Sequence, residues 1–302
     1  MPAINAGITM KAEKIGAYSA VEPLVIGLGV EKAATTWIHR QLESHPEIAT
    51  TYTKEVGYWT NHYKEGPQWY SRQFNRTSST KVYAEYTPHY ISCIESVCQR
   101  VSSHVGDAKF ILALRNPYER TFSAYLDALR MGATSLPFEL ACTPESTFVK
   151  KSIYSDDIMI FLSYYDIKKL HVILFDDIAD DPGKVITNLY KFIGVSEVYN
   201  SDQLFKKVNA GSNVSIDSIY LKKLERLAKR IGLSRKHFMS IGMGDIVDRS
   251  KSYLSKKNPK PILTNENIEY LHQFFESDLL ALSKILGRDF SSWDLRTARE
   301  KL

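Results

Sequence analysis

The chain has few cysteines, no long hydrophobic run and no strong excess of one charge. Its three cysteines, Cys93, Cys98 and Cys142, form an odd and sparse set that does not suit a disulfide framework. No apolar stretch approaches the length of a membrane span, and residues 1–22 contain no apolar core of signal-peptide length. We therefore expect a cytoplasmic protein with no membrane partner.

The charge balance narrows the class of ligand. The formal net charge of +5 falls short of a nucleic-acid-binding signature, so no nucleic acid partner is expected, but it suits an anionic ligand. With 44% hydrophobic residues and no internal repeat, the chain is typical of a globular protein. We expect a single domain over residues 1–302, with an N-terminal extension at 1–22 and a mostly helical insertion at 196–265. The sequence does not indicate an oligomeric state.

What the chain does contain is a stretch typical of anion binding, PLVIGLGVEKAATTWI over residues 23–38. Leu24–Leu28 is apolar or glycine throughout, which predicts a buried parallel strand, and a helix is predicted to begin at Thr35. A helix N-terminus offers backbone N–H groups and the positive end of the helix dipole to an anion. The predicted contacts are the lysine, small and hydroxyl residues Lys32, Ala33, Ala34, Thr35 and Thr36.

This stretch departs from the ATP-type phosphate loop. That pattern, G-x-x-x-x-G-K-[ST], places the lysine directly before the hydroxyl residue. Here Lys32 comes first, two alanines follow, and the hydroxyl pair comes last. In isolation the stretch therefore also fits a tight turn before a helix that is capped by threonine.

A second stretch, KFILALRNPYERTFSAYLDALRM over residues 109–131, predicts another anion site. Phe110–Leu114 reads as a strand with Arg115 at its carboxyl end, and Pro117 suits the first position of a following helix that carries Ser123. A guanidinium and a hydroxyl together suit a phosphate group. Because ligands of open α/β sheets bind beyond the carboxyl ends of the strands, two such sites predict a ligand with two separated phosphate-like groups.

Taken together, GVEKAATTWI and LRNPYERTFSAY resemble the two nucleotide-binding signatures of the sulfotransferases that use 3′-phosphoadenosine-5′-phosphosulfate (PAPS). The chain is most similar to the branch of heparan-sulfate-type and bacterial sulfotransferases. The resemblance implies an α/β fold with a P-loop-like central parallel β-sheet flanked by helices on both faces. It also implies that the Lys32 loop holds the 5′-phosphosulfate and that Arg115 and Ser123 hold the 3′-phosphate, with adenosine 3′,5′-bisphosphate as product.

Further site residues follow from the same resemblance. Ser152 and Tyr154, on a helix predicted from Lys150 through Tyr165, resemble a family segment that touches the nucleotide. Sulfuryl transfer requires that the acceptor proton be removed as the new bond forms. The resemblance makes Glu55 the first candidate for this general base, and His89 is the alternative.

Two departures from the family pattern bear on the site. Ala33 and Ala34 stand where relatives usually carry Gly-Gly or Ser-Gly, and alanine tolerates positive φ poorly. Tyr86 stands where relatives usually carry a lysine near the transferring group, so one expected cation is missing. Gly57 replaces a residue that is often larger, which predicts a wider acceptor site.

We therefore predict transfer of a sulfuryl group from PAPS to a hydroxyl or amine of a small-molecule or carbohydrate acceptor, without a metal, since no constellation of His and Cys suits one. Two alternatives stay open. The predicted strand His171–Phe175, followed by Asp176, resembles a magnesium-holding strand and would suit a nucleotide-dependent kinase or ATPase. A catalytically inactive nucleotide-binding relative is the other.

Overall fold

A computed structural model describes residues 18–199, 201–204 and 261–296. Within them, five strands form one sheet in the order β2-β3-β1-β4-β5, and every pairing is parallel. The strands are β1 Leu24–Gly29, β2 Ile48–Thr50, β3 Val82–Tyr86, β4 Ala108–Leu114 and β5 Leu170–Leu174. Every residue of the central strand β1 is buried, as its uncharged apolar sequence predicts.

The helices follow the strands in the alternating pattern of α/β proteins. The α-helices are α1 Thr35–Ser44, α2 Gly66–Ser71, α3 Ile94–His104, α4 Pro117–Met131, α5 Phe138–Ala141, α6 Thr147–Lys150, α7 Ser155–Tyr164, α8 Phe175–Asp180, α9 Pro182–Ile193, α10 Ser201–Leu204 and α11 Asn265–Leu286. Short 3₁₀ helices span Ser19–Val21, Tyr63–Glu65, Tyr90–Cys93, Ile167–Lys169 and Ser291–Trp293.

The described residues divide into two compact units. The first unit comprises residues 18–116, 154–199 and 201–204 and contains the whole sheet; the second unit comprises residues 117–153 and 261–296. Most of the predicted N-terminal extension and of the predicted insertion, residues 1–17 and 205–260, lies outside the described residues. The single-domain assignment stays a prediction.

Helices of the first unit cover both faces of the sheet. Phe110 of β4 packs its ring against Phe161 of α7, with 5.0 Å between the ring centroids. On the neighbouring strand His171, level with Ile111 in the register, stacks on Phe192 of α9 at 5.1 Å. Since successive residues of a strand face opposite sides, α7 and α9 lie on opposite faces. The predicted central parallel sheet with helices on both faces is confirmed.

Two predicted boundaries are wrong, and both concern predicted site residues. The helix predicted from Lys150 is interrupted: α6 ends there, and α7 begins at Ser155 with two aspartates in its first turn, a favourable position beside the positive end of the helix dipole. The strand predicted to end at Phe175 ends at Leu174 instead. Asp176 therefore lies in the first turn of α8, which begins directly after the strand.

Candidate active site

The loop between β1 and α1 forms a turn with left-handed backbone. Lys32 has φ 74° and Ala34 has φ 60°, and the carbonyl of Ala34 accepts the first backbone bonds of α1, from Trp37 and Ile38. Among the described residues no side chain caps this end of α1. The first N–H groups of the helix, which lack partners within the helix, therefore face a position where an anion can bind.

The five predicted loop contacts differ in exposure. Ala33 is fully buried and Thr35 is buried, whereas Lys32, Ala34 and Thr36 are partly exposed. The backbone N–H of Ala33 donates to the Val30 carbonyl at 3.3 Å, which closes the turn. A ligand approaching this loop from solvent therefore meets Lys32, Thr36 and the backbone around Ala34.

Arg115 lies beside this loop. Its Nη1 is 3.4 Å from the Lys32 carbonyl oxygen, and its guanidinium lies over the Phe175 ring, 4.4 Å from the centroid. The hydroxyl of Tyr154, a buried side chain, donates a 2.7 Å hydrogen bond to the Arg115 carbonyl. The structure thus brings Lys32, Arg115 and Tyr154 together at the carboxyl ends of β1 and β4, which are neighbouring strands.

Two other predicted cofactor contacts lie in the second unit. Ser123 is partly exposed on α4. Ser152 is fully buried, and its hydroxyl donates to the Phe148 carbonyl at 3.1 Å, receives a hydrogen bond from Arg120 at 3.1 Å and lies 2.7 Å from the Thr121 hydroxyl. The hydroxyl of Ser152 is therefore engaged within its own unit. Nucleotide contacts at Ser123 and Ser152 stay predictions.

The two candidate bases are attached to one segment, residues 55–60. Glu55 is exposed, has φ 64° and forms an ion pair with Lys54. His89 follows β3 and is partly exposed; its Nε2 lies 2.8 Å from the Thr60 hydroxyl, which donates to the Gly57 carbonyl at 3.2 Å. The segment that carries Glu55 is therefore in direct contact with His89.

The space beside Gly57 is lined by this same cluster. A Cβ built on Gly57 would lie 3.6 Å from His89 Cε1 and 3.8 Å from the Thr60 hydroxyl oxygen. The predicted widening of an acceptor site at Gly57 stays a prediction, and the side chains of Asn61, His89 and Thr60 border this space.

Tyr86, the departure at the family's lysine position, is fully buried at the end of β3. Its hydroxyl donates to the Gly29 carbonyl at 2.8 Å, and its ring covers Gly27, where a Cβ would come within 2.3 Å of ring carbons. Burial raises the pKa of the Tyr86 phenol, so the hydroxyl stays a donor. Tyr86 therefore ties β3 to the end of β1 at the anion-binding loop.

One ionisable residue near this site was missed by the sequence analysis. Glu85, on β3, is 1% exposed and accepts hydrogen bonds from the Tyr70 hydroxyl at 2.7 Å and the Tyr90 hydroxyl at 3.0 Å. Burial raises its pKa to about 7, although the two phenol donors oppose that shift. The available signal was an acidic residue inside the otherwise uncharged strand VYAEY.

Two kinds of feature are absent from the described residues: a cluster of potential metal ligands and a helix long and apolar enough to span a membrane. Within residues 18–199, 201–204 and 261–296, no group of three or more His, Cys, Asp or Glu side chains could hold a metal ion. In the same ranges no helix has the length and hydrophobicity needed to cross a membrane.

Comparison with known proteins is consistent with this geometry. A family model described as "Sulfotransferase family" matches residues 50–199. The membrane-associated sulfotransferase kil1 of Dictyostelium discoideum is 36% identical over 106 residues, which are 34% of this chain and 22% of that protein. Human heparan sulfate glucosamine 3-O-sulfotransferase 3B1 is 23% identical over 288 residues, which are 92% of this chain and 67% of that enzyme. The chain thus spans about a fifth of the first relative and about two thirds of the second.

The fold is also that of a solved sulfotransferase. The crystal structure of a sulfotransferase from Alicyclobacillus acidocaldarius aligns with a TM-score of 0.63 at 20% identity, covering 90% of this chain and 99% of that one. At 20% identity the structural alignment shows a shared fold only. The family match and the relatives found by sequence indicate common descent. The chain belongs to the sulfotransferase family.

Proposed function

We propose that the chain transfers a sulfuryl group from PAPS to a hydroxyl or amine of a small-molecule or carbohydrate acceptor. The observation that carries this proposal is the meeting of Lys32 and Arg115 at the end of the sheet, with Arg115 Nη1 3.4 Å from the Lys32 carbonyl. A lysine within the loop, an arginine beside it and the uncapped N-terminus of α1 suit a ligand that carries phosphate groups better than a neutral ligand.

The donor side is assigned to residues of the loop and of the strand end. PAPS supplies an activated sulfuryl group on a phosphate leaving group. Lys32 would neutralise the charge that develops on that phosphate, and the α1 backbone with Thr35 and Thr36 would bind its oxygens, with Ala33 and Ala34 leaving room. Further contacts proposed for the nucleotide, including its 3′-phosphate, are Arg115, Ser123, Ser152 and Tyr154.

The acceptor side is assigned to Glu55 or His89. Either side chain can take the acceptor proton as the new S–O or S–N bond forms. Glu55 belongs to the segment that His89 contacts through the Thr60 hydroxyl, and this contact supports a single acceptor site at residues 55–60 and 89. A carbohydrate acceptor is favoured by the human relative, whose name gives a glucosamine of heparan sulfate as its substrate.

Location in a reducing compartment such as the cytoplasm is part of the same proposal. The three cysteines are unpaired, and Cys98 and Cys142 are buried. Sparse free thiols are typical of proteins from reducing compartments.

Calorimetric titration with adenosine 3′,5′-bisphosphate and with ATP plus magnesium tests the donor assignment. We expect tight binding of the bisphosphate, weak binding of ATP, and loss of bisphosphate binding in Arg115→Ala. The matched control is Arg76→Ala, which removes an exposed arginine bonded to the Ser71 carbonyl. A preference for ATP with magnesium would reject the proposal and favour the kinase alternative with Asp176 as metal ligand.

A transfer assay separates an active enzyme from an inactive nucleotide-binding relative. Labelled PAPS is incubated with a panel of glucosamine-containing saccharides, phenols, alcohols and amines, and transfer of label to the acceptor is measured. We expect transfer to at least one hydroxyl or amine acceptor, and its loss in Lys32→Ala. Near-normal transfer in Lys32→Ala would contradict the role of that lysine.

A further inference from the structure

The backbone that follows Glu55 is held by side chains rather than by a strand or helix. The N–H of Gly57 donates to the Thr87 hydroxyl at 3.2 Å, and the N–H of Trp59 donates to the Tyr90 hydroxyl at 3.1 Å. The carbonyl of Trp59 accepts from Arg100 Nη1 at 2.6 Å. A backbone turn closes this segment, since the Gly57 carbonyl accepts from the Thr60 and Asn61 N–H groups, and side chains that follow β3 along the chain fasten the turn to the sheet.

The Tyr90 hydroxyl takes part in two hydrogen bonds whose directions are fixed. It accepts the Trp59 N–H and donates its single proton to Glu85 Oε2 at 3.0 Å. The other carboxyl oxygen of Glu85 receives the Tyr70 hydroxyl at 2.7 Å. Glu85 therefore orients the hydroxyl that holds Trp59.

This network is almost completely removed from water. Glu85, Tyr70 and Tyr90 are each no more than 1% exposed. Among the residues that the structure describes, the ionisable side chains that face Glu85 are the phenols of Tyr58, Tyr70 and Tyr90. A carboxylate in this setting accepts both hydroxyl protons, whereas a neutral carboxyl has a proton of its own to donate and so offers the phenols a different set of donors and acceptors. The hydrogen-bond pattern around Trp59 therefore depends on the form of Glu85.

We propose that Glu85 is a positioning residue: through Tyr90 it holds the 57–60 backbone and so places Glu55 and His89 at the acceptor site. The inference deepens the proposed function and, for its effect on turnover, rests on it. Glu85 is buried behind the segment and acts through Tyr90 and Trp59.

Two variants and a matched control test the proposal. Glu85→Gln keeps the size of the side chain but replaces one acceptor oxygen with a donor, and Tyr90→Phe removes the hydroxyl alone. The control, Tyr165→Phe, removes the hydroxyl of a tyrosine that packs on Phe110 and Phe161 elsewhere in the first unit. Hydrogen–deuterium exchange of the Trp59 and Gly57 amides is measured for each protein, together with kcat, KM and the pH profile of turnover.

We expect Trp59 amide exchange to rise about tenfold in Glu85→Gln and Tyr90→Phe and to stay unchanged in the control. Turnover with PAPS should fall about tenfold in both variants through kcat, with KM for the donor unchanged. Ionisation of Glu85 should add a rise of the wild-type kcat near pH 7, and Glu85→Gln should lack that added rise and keep only the pH dependence of the general base.

Unchanged exchange at Trp59 in both variants would overturn the positioning role, and so would an equal effect in Tyr165→Phe. If the wild type transfers no sulfuryl group at all, the proposed function fails, but the exchange measurement still decides whether Glu85 holds the segment. A loss of turnover with the same pH rise as the wild type would also reject the role assigned to Glu85.

Discussion

The Tyr86 hydroxyl donates a 2.8 Å hydrogen bond to the carbonyl of Gly29. Gly29 is the last residue of the central strand before the anion-binding loop. The two residues are 57 positions apart, and the bond joins the ends of β3 and β1 next to Lys32. Relatives in the family that this chain resembles usually carry a lysine near the transferring group at this position. In this protein Tyr86 instead holds the backbone at the start of the loop through its hydrogen bond to Gly29.

Replacing this phenol tests its structural role. Tyr86→Phe keeps the ring over Gly27 and leaves the buried Gly29 carbonyl without this donor, so we expect the free energy of unfolding to fall by about 1–3 kcal/mol. Urea denaturation measures the change. Tyr83→Phe, on the same strand but partly exposed, serves as control and should differ from wild type by less than about 0.5 kcal/mol. Equal stability of Tyr86→Phe and wild type would remove the role assigned to this bond.

The left-handed backbone of Ala34 predicts a stabilising substitution. At φ 60° a Cβ is strained by about 1–2 kcal/mol, whereas glycine loses about 0.4–1 kcal/mol through the greater freedom of the unfolded chain. Ala34→Gly should therefore raise the free energy of unfolding by up to about 1.5 kcal/mol. Ala33→Gly, at a fully buried alanine without positive φ, should lower it. Chemical denaturation of the two variants measures both signs, and destabilisation by Ala34→Gly would contradict the strain.

The sequence predicted most of the sheet and the end at which the site lies, because these follow from local patterns. The uncharged run in β1 predicted a buried strand, and the rule for parallel sheets predicted that both anion sites would lie beyond the carboxyl ends of the strands. No helix was predicted over Ile94–His104, although its buried residues have helical spacing. Glu85 was missed because its role depends on Tyr70, which comes to it only through the tertiary fold.

The raised pKa of Glu85 predicts how stability depends on pH. Its folded pKa is about 7, against 4.5 for an ordinary glutamate, mainly because of burial. Between these values the folded state holds a proton that the unfolded state has lost, so stability falls as the pH rises toward 7. The loss is on the order of 3 kcal/mol at full ionisation. Glu85→Gln should remove it, measured as the wild-type-minus-variant difference in unfolding free energy from pH 4.5 to 8. If this difference in unfolding free energy does not vary with pH, the pKa of Glu85 is not raised in the folded protein.

His171 predicts the opposite dependence. Burial lowers the pKa of His171, whose ring is stacked on Phe192, to about 4 from 6.5, so the unfolded state binds a proton that the folded state does not. Stability should therefore fall as the pH drops from 6.5 to 4. His171→Phe, which keeps a ring to stack on Phe192, should lose less stability over that range. Thermal unfolding at several pH values measures the difference, with His62→Phe at an exposed histidine as control. If His171→Phe and the wild type lose the same stability as the pH falls, His171 is not the cause of that loss.

The last prediction separates the two candidate bases. Glu55→Gln removes the carboxylate but keeps the size of the side chain, and it should lower kcat by roughly 10²–10⁴-fold if Glu55 takes the acceptor proton. His89→Gln should then have a smaller effect, because its ring would serve the site mainly through the Thr60 hydroxyl. Transfer of label from PAPS to the best acceptor of the panel measures both variants across pH.

The reverse result would assign the proton to His89. Near-normal turnover in Glu55→Gln, with a large loss in His89→Gln, would make the imidazole the base and leave Glu55 as the partner of Lys54. In that case Thr60→Val, which removes the hydroxyl 2.8 Å from Nε2, should lower kcat and shift the pH profile. With Glu55 as base the same variant should leave the pH profile unchanged, so the Thr60 variant decides between them even if both bases contribute to binding.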